Sequence, residues 1–126
     1  MRRSALTVLF ALALAAPAMA QQQQYAGREQ DSLRRCFDDG VRKLTEQKVP
    51  MEDYAVVAVG LCDAPIRLYR DFVVSFETRR GNSHQVALAR AESALSTEFR
   101  RARDAFAAYN RKNSERRDPT PGEAEV

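Results

Sequence analysis

The sequence predicts an all-α fold: a disulfide-stapled antiparallel helical hairpin packed by a third long helix. This is a three-helix bundle whose second helix kinks at Pro65. Three observations predict it. Apolar residues recur at steps of three and four through segments separated by Val49-Pro50 and by residues 79–83. No segment alternates apolar and polar residues as a half-buried strand does. The two cysteines, Cys36 and Cys62, are centred on residue 49, at the first break.

The first twenty residues have the three parts of a secretory signal peptide. Arg2 and Arg3 supply the positive start, Ala5 to Ala16 is apolar except for Thr7, and Pro17-Ala18-Met19-Ala20 ends in small-x-small. Cleavage is expected between Ala20 and Gln21. The apolar run is shorter than the ~20 residues that span a bilayer. The expected location is therefore export, to the periplasm rather than the medium. Removing twenty residues from 126 leaves 106, enough for one domain. Arg2 and Arg3 leave too, and the net charge drops from +3 to +1. That small excess excludes a nucleic-acid footprint. Residues 21–27 read as a polar, Gln-rich spacer, 28–112 as the helical domain and 113–126 as a disordered tail.

In the first helix, Leu33, Cys36, Phe37, Val41 and Leu44 share one face. Asp31 with Arg35, Asp38 with Arg42, and Asp39 with Lys43 form acid-to-base pairs four apart on the others. Pro50 ends this helix. In an antiparallel hairpin, residues equidistant from the turn sit at one height. That register pairs Cys36 with Cys62, Leu33 with Pro65, Phe37 with Leu61, Gly40 with Ala58, Val41 with Val57, and Leu44 with Tyr54. An exported chain favours the oxidised form, and two cysteines have only one intramolecular pairing. A Cys36–Cys62 disulfide is expected. Gly40 inside a helix costs about 1 kcal/mol against alanine, and a close approach to Ala58 would explain its presence.

The second helical stretch, 51–79, keeps its rhythm through Tyr54, Ala58, Leu61, Cys62, Pro65, Tyr69, Phe72, Val73 and Phe76. Val56, Val57 and Val59 widen the apolar stripe, which implies contact on two sides. Pro65 either kinks the helix or lies in the first turn of a fresh one opened by Asp63; a kink or short break, with the chain continuing in roughly the same direction, is the expected form. Gly81 then caps the carboxy end, with Asn82 or Ser83 opening the third helix. There Leu88, Ala91, Leu95, Phe99, Ala102, Phe106 and Tyr109 repeat over three heptads, as in a coiled-coil seam. Dimerisation through this helix is expected to supplement the small core.

The residues offer little chemistry. His84 is the only histidine and lies at a helix start, where an exposed capping position is expected. Asp38-Asp39 have basic partners four residues on, and Glu52-Asp53 suit a helix amino terminus. No Gly-rich phosphate loop, nucleophile elbow or metal-binding helix motif is present. Neither an enzyme nor a cofactor is expected. Residues 99–117 carry seven basic and two acidic groups with Phe99, Phe106 and Tyr109 interleaved. Arg100, Arg101, Arg103, Arg111 and Lys112 are therefore the candidate residues for an anionic surface.

Leu44-Thr45-Glu46-Gln47-Lys48 resembles the Leu-Thr-x-x-Gln repeat of small helical periplasmic chaperones, with Lys48 at the fifth position and no second copy. That single departure-bearing copy names no family. The functional expectation is a non-enzymatic exported protein that binds another protein, as an adaptor, regulator or chaperone-like envelope module. The alternative is a binder of anionic lipid or glycan surfaces through 99–117.

Overall fold

The computed structural model describes residues 25–117; the expected signal peptide, most of the spacer and residues 118–126 lie outside the described residues. Four helices follow in order: α1 (Arg28–Glu46), α2 (Tyr54–Leu61), α3 (Asp63–Arg79) and α4 (His84–Arg117). There is no strand among the described residues. α1 packs antiparallel to α2 and α3, which together form one interrupted rod, and α4 lies against the whole assembly. Leu33, Phe37, Val41 and Leu44 from α1 meet Tyr54, Ala58, Ile66, Tyr69 and Val73 from the rod. Ala91, Leu95, Ala102 and Phe106 of α4 close the same core.

The hairpin register holds at the cysteines. Cys36 and Cys62 are bonded, with Cα atoms 5.9 Å apart. Gly40 and Ala58 are both buried, as are Leu44 and Tyr54. Leu61, opposite the buried Phe37, is instead half exposed, because α2 stops there. The second helix does not kink at Pro65. It breaks at Cys62, whose φ of −111° and ψ of 22° leave the helical region. α3 begins at Asp63, so Pro65 lies in its first turn, where a missing N–H breaks no helical hydrogen bond. The Ile66 N–H reaches back to the Cys62 carbonyl at 2.9 Å. Among the described residues the bundle thus has four helices where three were expected.

Both loops between long elements close with the same motif. After α3, the Gly81 N–H bonds to Thr78 O and the Asn82 N–H to Glu77 O. Gly81 takes φ 91°, the left-handed conformation that glycine adopts freely. After α1, the Lys48 N–H bonds to Thr45 O and the Val49 N–H to Leu44 O. Here Lys48 holds φ 56° with a side chain attached, at a steric cost of about 1 kcal/mol. Gly40 shows the reverse mismatch. A Cβ built there meets no atom within 4 Å, so the expected close approach to Ala58 does not account for it. Gly40→Ala is expected to stabilise the fold by about 1 kcal/mol, raising the thermal midpoint in calorimetry; Lys48→Gly relieves the strain but frees the unfolded chain, and a smaller rise is expected.

α4 runs 34 residues, or about 51 Å at 1.5 Å per residue, five residues beyond the expected end at 112. Ser83 Oγ accepts a hydrogen bond from the Val86 N–H at 3.2 Å, opening the helix as a capping serine does. Of the expected seam, Ala91, Leu95, Ala102 and Phe106 are buried within the chain's own core, whereas Leu88 and Tyr109 at its ends are exposed. The middle of the seam is therefore occupied by α1 and the rod.

Candidate functional site

The candidate site is the outer side of α2. Its sequence, YAVVAVGL, has no charged or amide side chain. A core-facing helix presents one apolar stripe and a polar opposite side, but α2 is apolar all round. Tyr54 and Ala58 face inward and are buried. Val56 and Val59, three apart, face outward at 77% and 44% exposure, flanked by the exposed Ala55 and Gly60. The widened valine stripe implies contact on two sides; the described residues cover only one of them. Leu61 and Leu68, on either side of the Cys62 break, are exposed as well.

Charge frames this surface. Between Lys48 and Arg67 there are three carboxylates, Glu52, Asp53 and Asp63, and no basic residue. Asp63 is paired with Arg67 at 2.9 Å. Glu52 and Asp53 are exposed at the amino end of α2 and meet no basic group within 4 Å among the described residues. The disulfide fixes α2 from the other end. It ties Cys62 to α1 and sets Cys36 Sγ 3.8 Å from the Leu61 carbonyl.

The five basic candidates of α4 do not form one patch. Arg100, Arg103 and Arg111 fall on the outer face at steps of three and eight, interrupted by the exposed Asp104. Arg101 turns the other way. Its guanidinium lies 3.3 Å from both Asp38 and Glu98, so the expected Asp38–Arg42 pair is replaced. Arg42 pairs instead with Asp39 at 2.6 Å. Lys112 is exposed and shares a side of the helix with Tyr109 and Arg116, at steps of three and four.

Two buried carboxylates complete the polar interior. Glu98 is 2% exposed. It accepts hydrogen bonds from Gln30 Nε2 at 2.8 Å, Arg34 Nη2 at 2.8 Å and Arg34 Nε at 2.9 Å. Burial alone would raise its pKa. The hydrogen bonds from Arg34 and Gln30, with the charges of Arg34 and Arg101, outweigh that and hold it below the ordinary value. Glu77, fully buried, accepts from the Tyr25 hydroxyl at 2.6 Å and from Asn82, with Arg90 at 3.6 Å. Burial pushes the nearby Tyr69 hydroxyl up to about 12. The Tyr54 hydroxyl and one Arg101 nitrogen are buried without a hydrogen-bond partner in the described chain.

Both carboxylates are held by partners within the chain. Among the described residues no three His, Cys, Asp or Glu side chains converge as a metal-binding group. His84 is exposed at the start of α4. No helix among the described residues is long and apolar enough to cross a membrane. Leu44 and Thr45, from the chaperone-like pentapeptide, are spent inside the fold: both are buried and Thr45 Oγ1 donates to Val41 O at 2.8 Å. Compared with family models, curated proteins and solved structures, the chain matches none.

Proposed function

We propose that this is a non-enzymatic exported protein that binds another protein through the outer side of α2, as an adaptor, regulator or chaperone-like envelope module. The observation that carries the reading is Val56, 77% exposed on a helix with no polar side. The core of the described chain is complete without Val56 and Val59. An apolar helix left uncovered after folding is what a partner's surface removes from water. Small residues on the same side, Ala55 and Gly60, permit close backbone approach.

The basic-helix alternative has less support. Arg101 is held by Asp38 and Glu98, and the outer face with Arg100, Arg103 and Arg111 carries no large exposed apolar side chain to enter a bilayer. A photo-crosslinking residue placed at Val56 in the exported protein, in cells, tests the choice against one placed at Arg103. Capture of a discrete protein from Val56 and not from Arg103 is expected. Capture of lipid or protein from Arg103 alone would reverse the assignment.

A further inference from the structure

The outer side of α2 needs an occupant that is apolar in part and basic at its margin, and the chain contains one. Beyond Phe106, which stacks on Tyr54 at 4.5 Å between ring centroids, the end of α4 continues through residues 109–117. It presents Tyr109, 40% exposed, with Lys112 and Arg116 on the same side of the helix. This segment holds four basic residues, Arg111, Lys112, Arg116 and Arg117, against Glu115 alone. The α2 region holds three carboxylates and no base. Both segments are eight or nine residues long, about 12 Å of helix each.

The two cannot satisfy each other within one chain: in the folded protomer Val56 and Tyr109 both remain exposed. The Tyr54–Phe106 contact nevertheless places them at the same end of the bundle. We infer that a second copy of this chain docks here, the α4 end of each protomer lying on the outer side of α2 of the other. A two-fold axis at that end makes both contacts at once, so each complementary pair of surfaces is used twice and none is left over to propagate a fibre. Lys112 of one copy then reaches Glu52 and Asp53 of the other, and Tyr109, on the same side of that helix, covers Val56.

This inference rests on the reading of α2 as a protein-recognition surface, and names the partner. Sedimentation velocity of the purified exported chain tests it. A reversible dimer is expected, weaker in about 0.5 M than in about 0.05 M salt because its margin is ionic. Val56→Glu, at a solvent-facing position, is expected to leave helicity and thermal midpoint unchanged and to abolish the dimer. Glu52→Lys and Lys112→Glu are each expected to weaken it about tenfold, and the two together to restore it. A monomer at all concentrations, or a dimer indifferent to Val56→Glu and the charge swap, overturns the inference. If the purified chain is monomeric while Val56 still crosslinks to a different protein in cells, the self-association fails and the recognition surface stands. If neither binds, both fail.

Discussion

Replacing Cys36 and Cys62 together by serine is expected to lower the unfolding free energy by about 3 kcal/mol, a large share of what a small domain possesses. The bond closes a loop between residues separated by 26 positions, and chain entropy in the unfolded state rises when that closure is removed. Cys62 is also buried at the non-helical residue between α2 and α3. A serine hydroxyl there meets an apolar site, so Cys62→Ala with Cys36→Ser separates lost cross-link from added polarity. Guanidinium titration of the oxidised, reduced and doubly substituted chains measures the effect. The loss is expected to be concentrated at the bundle end that carries α2: hydrogen exchange of amides 54–61 should accelerate more than that of α3. Equal acceleration throughout would show that the bond stabilises the bundle without singling out α2. In cells the same variant is expected to lose the Val56 crosslink, since its face is no longer held in place.

Glu98→Ala is expected to cost about 3 kcal/mol, the lower end of the range for breaking a buried pair. The low end applies because Arg34 and Arg101 are each about two-fifths exposed and can turn to water. Gln30, 4% exposed, cannot, and keeps an amide without its acceptor. The wild-type carboxyl also makes stability depend on pH. Its folded pKa lies below the ordinary 4.5, so its contribution is fully present above the unfolded value and is lost as pH falls through the folded one. The thermal midpoint of wild type should therefore decline below about pH 5. Glu98→Gln should show a shallower decline from a lower starting midpoint. Parallel declines for the two proteins would assign the acid sensitivity to other carboxylates.

Much of the fold was legible because helix geometry converts spacing into position. Cys36 and Cys62 are equidistant from Val49-Pro50, and equal spacing along antiparallel rods means equal height. The break at Cys62 was harder to read. Proline disrupts a helix only where its missing N–H and ring fall within the ladder, and Pro65 is equally compatible with a first turn. Nothing in the local sequence distinguishes a kink from a first turn. The buried ion cluster was missed for a related reason. Arg34, Asp38 and Arg101 read as surface charge when each is weighed against neighbours on its own helix. A signal was there: Gln30 continues the Leu33–Phe37–Val41 stripe upstream, and Glu98 falls between Leu95 and Ala102 on theirs. Polar residues inside an apolar stripe must find partners across the interface.

For the candidate site, the valines at 56, 57 and 59 announced contact on two sides. That this contact is unfilled within the described chain is knowable only after folding, because it depends on where α1 and α4 run out of surface. Arg100, Arg103, Arg111 and Lys112 are exposed as their spacing implies. Arg101 is not available with them, since Asp38 on α1 comes within reach only in three dimensions.

The buried glutamates also settle an ambiguity that the apolar residues leave open. Along α4, Leu95 and Ala102, or Phe99 and Phe106, are one heptad apart, so sliding the helix by seven residues would bring similar shapes into the core. Such a slip would leave Glu98 and Arg34 about 10 Å out of step and strand a carboxylate in an apolar layer. Polar keys of this kind choose one alignment among several that grease alone would accept. On this protein they act at two heights, Glu98 against α1 and Glu77 against Tyr25 and Arg90. A chain seven residues out of step along α4 would lose the Glu98 bonds to Gln30 and Arg34 and the approach of Arg90 to Glu77.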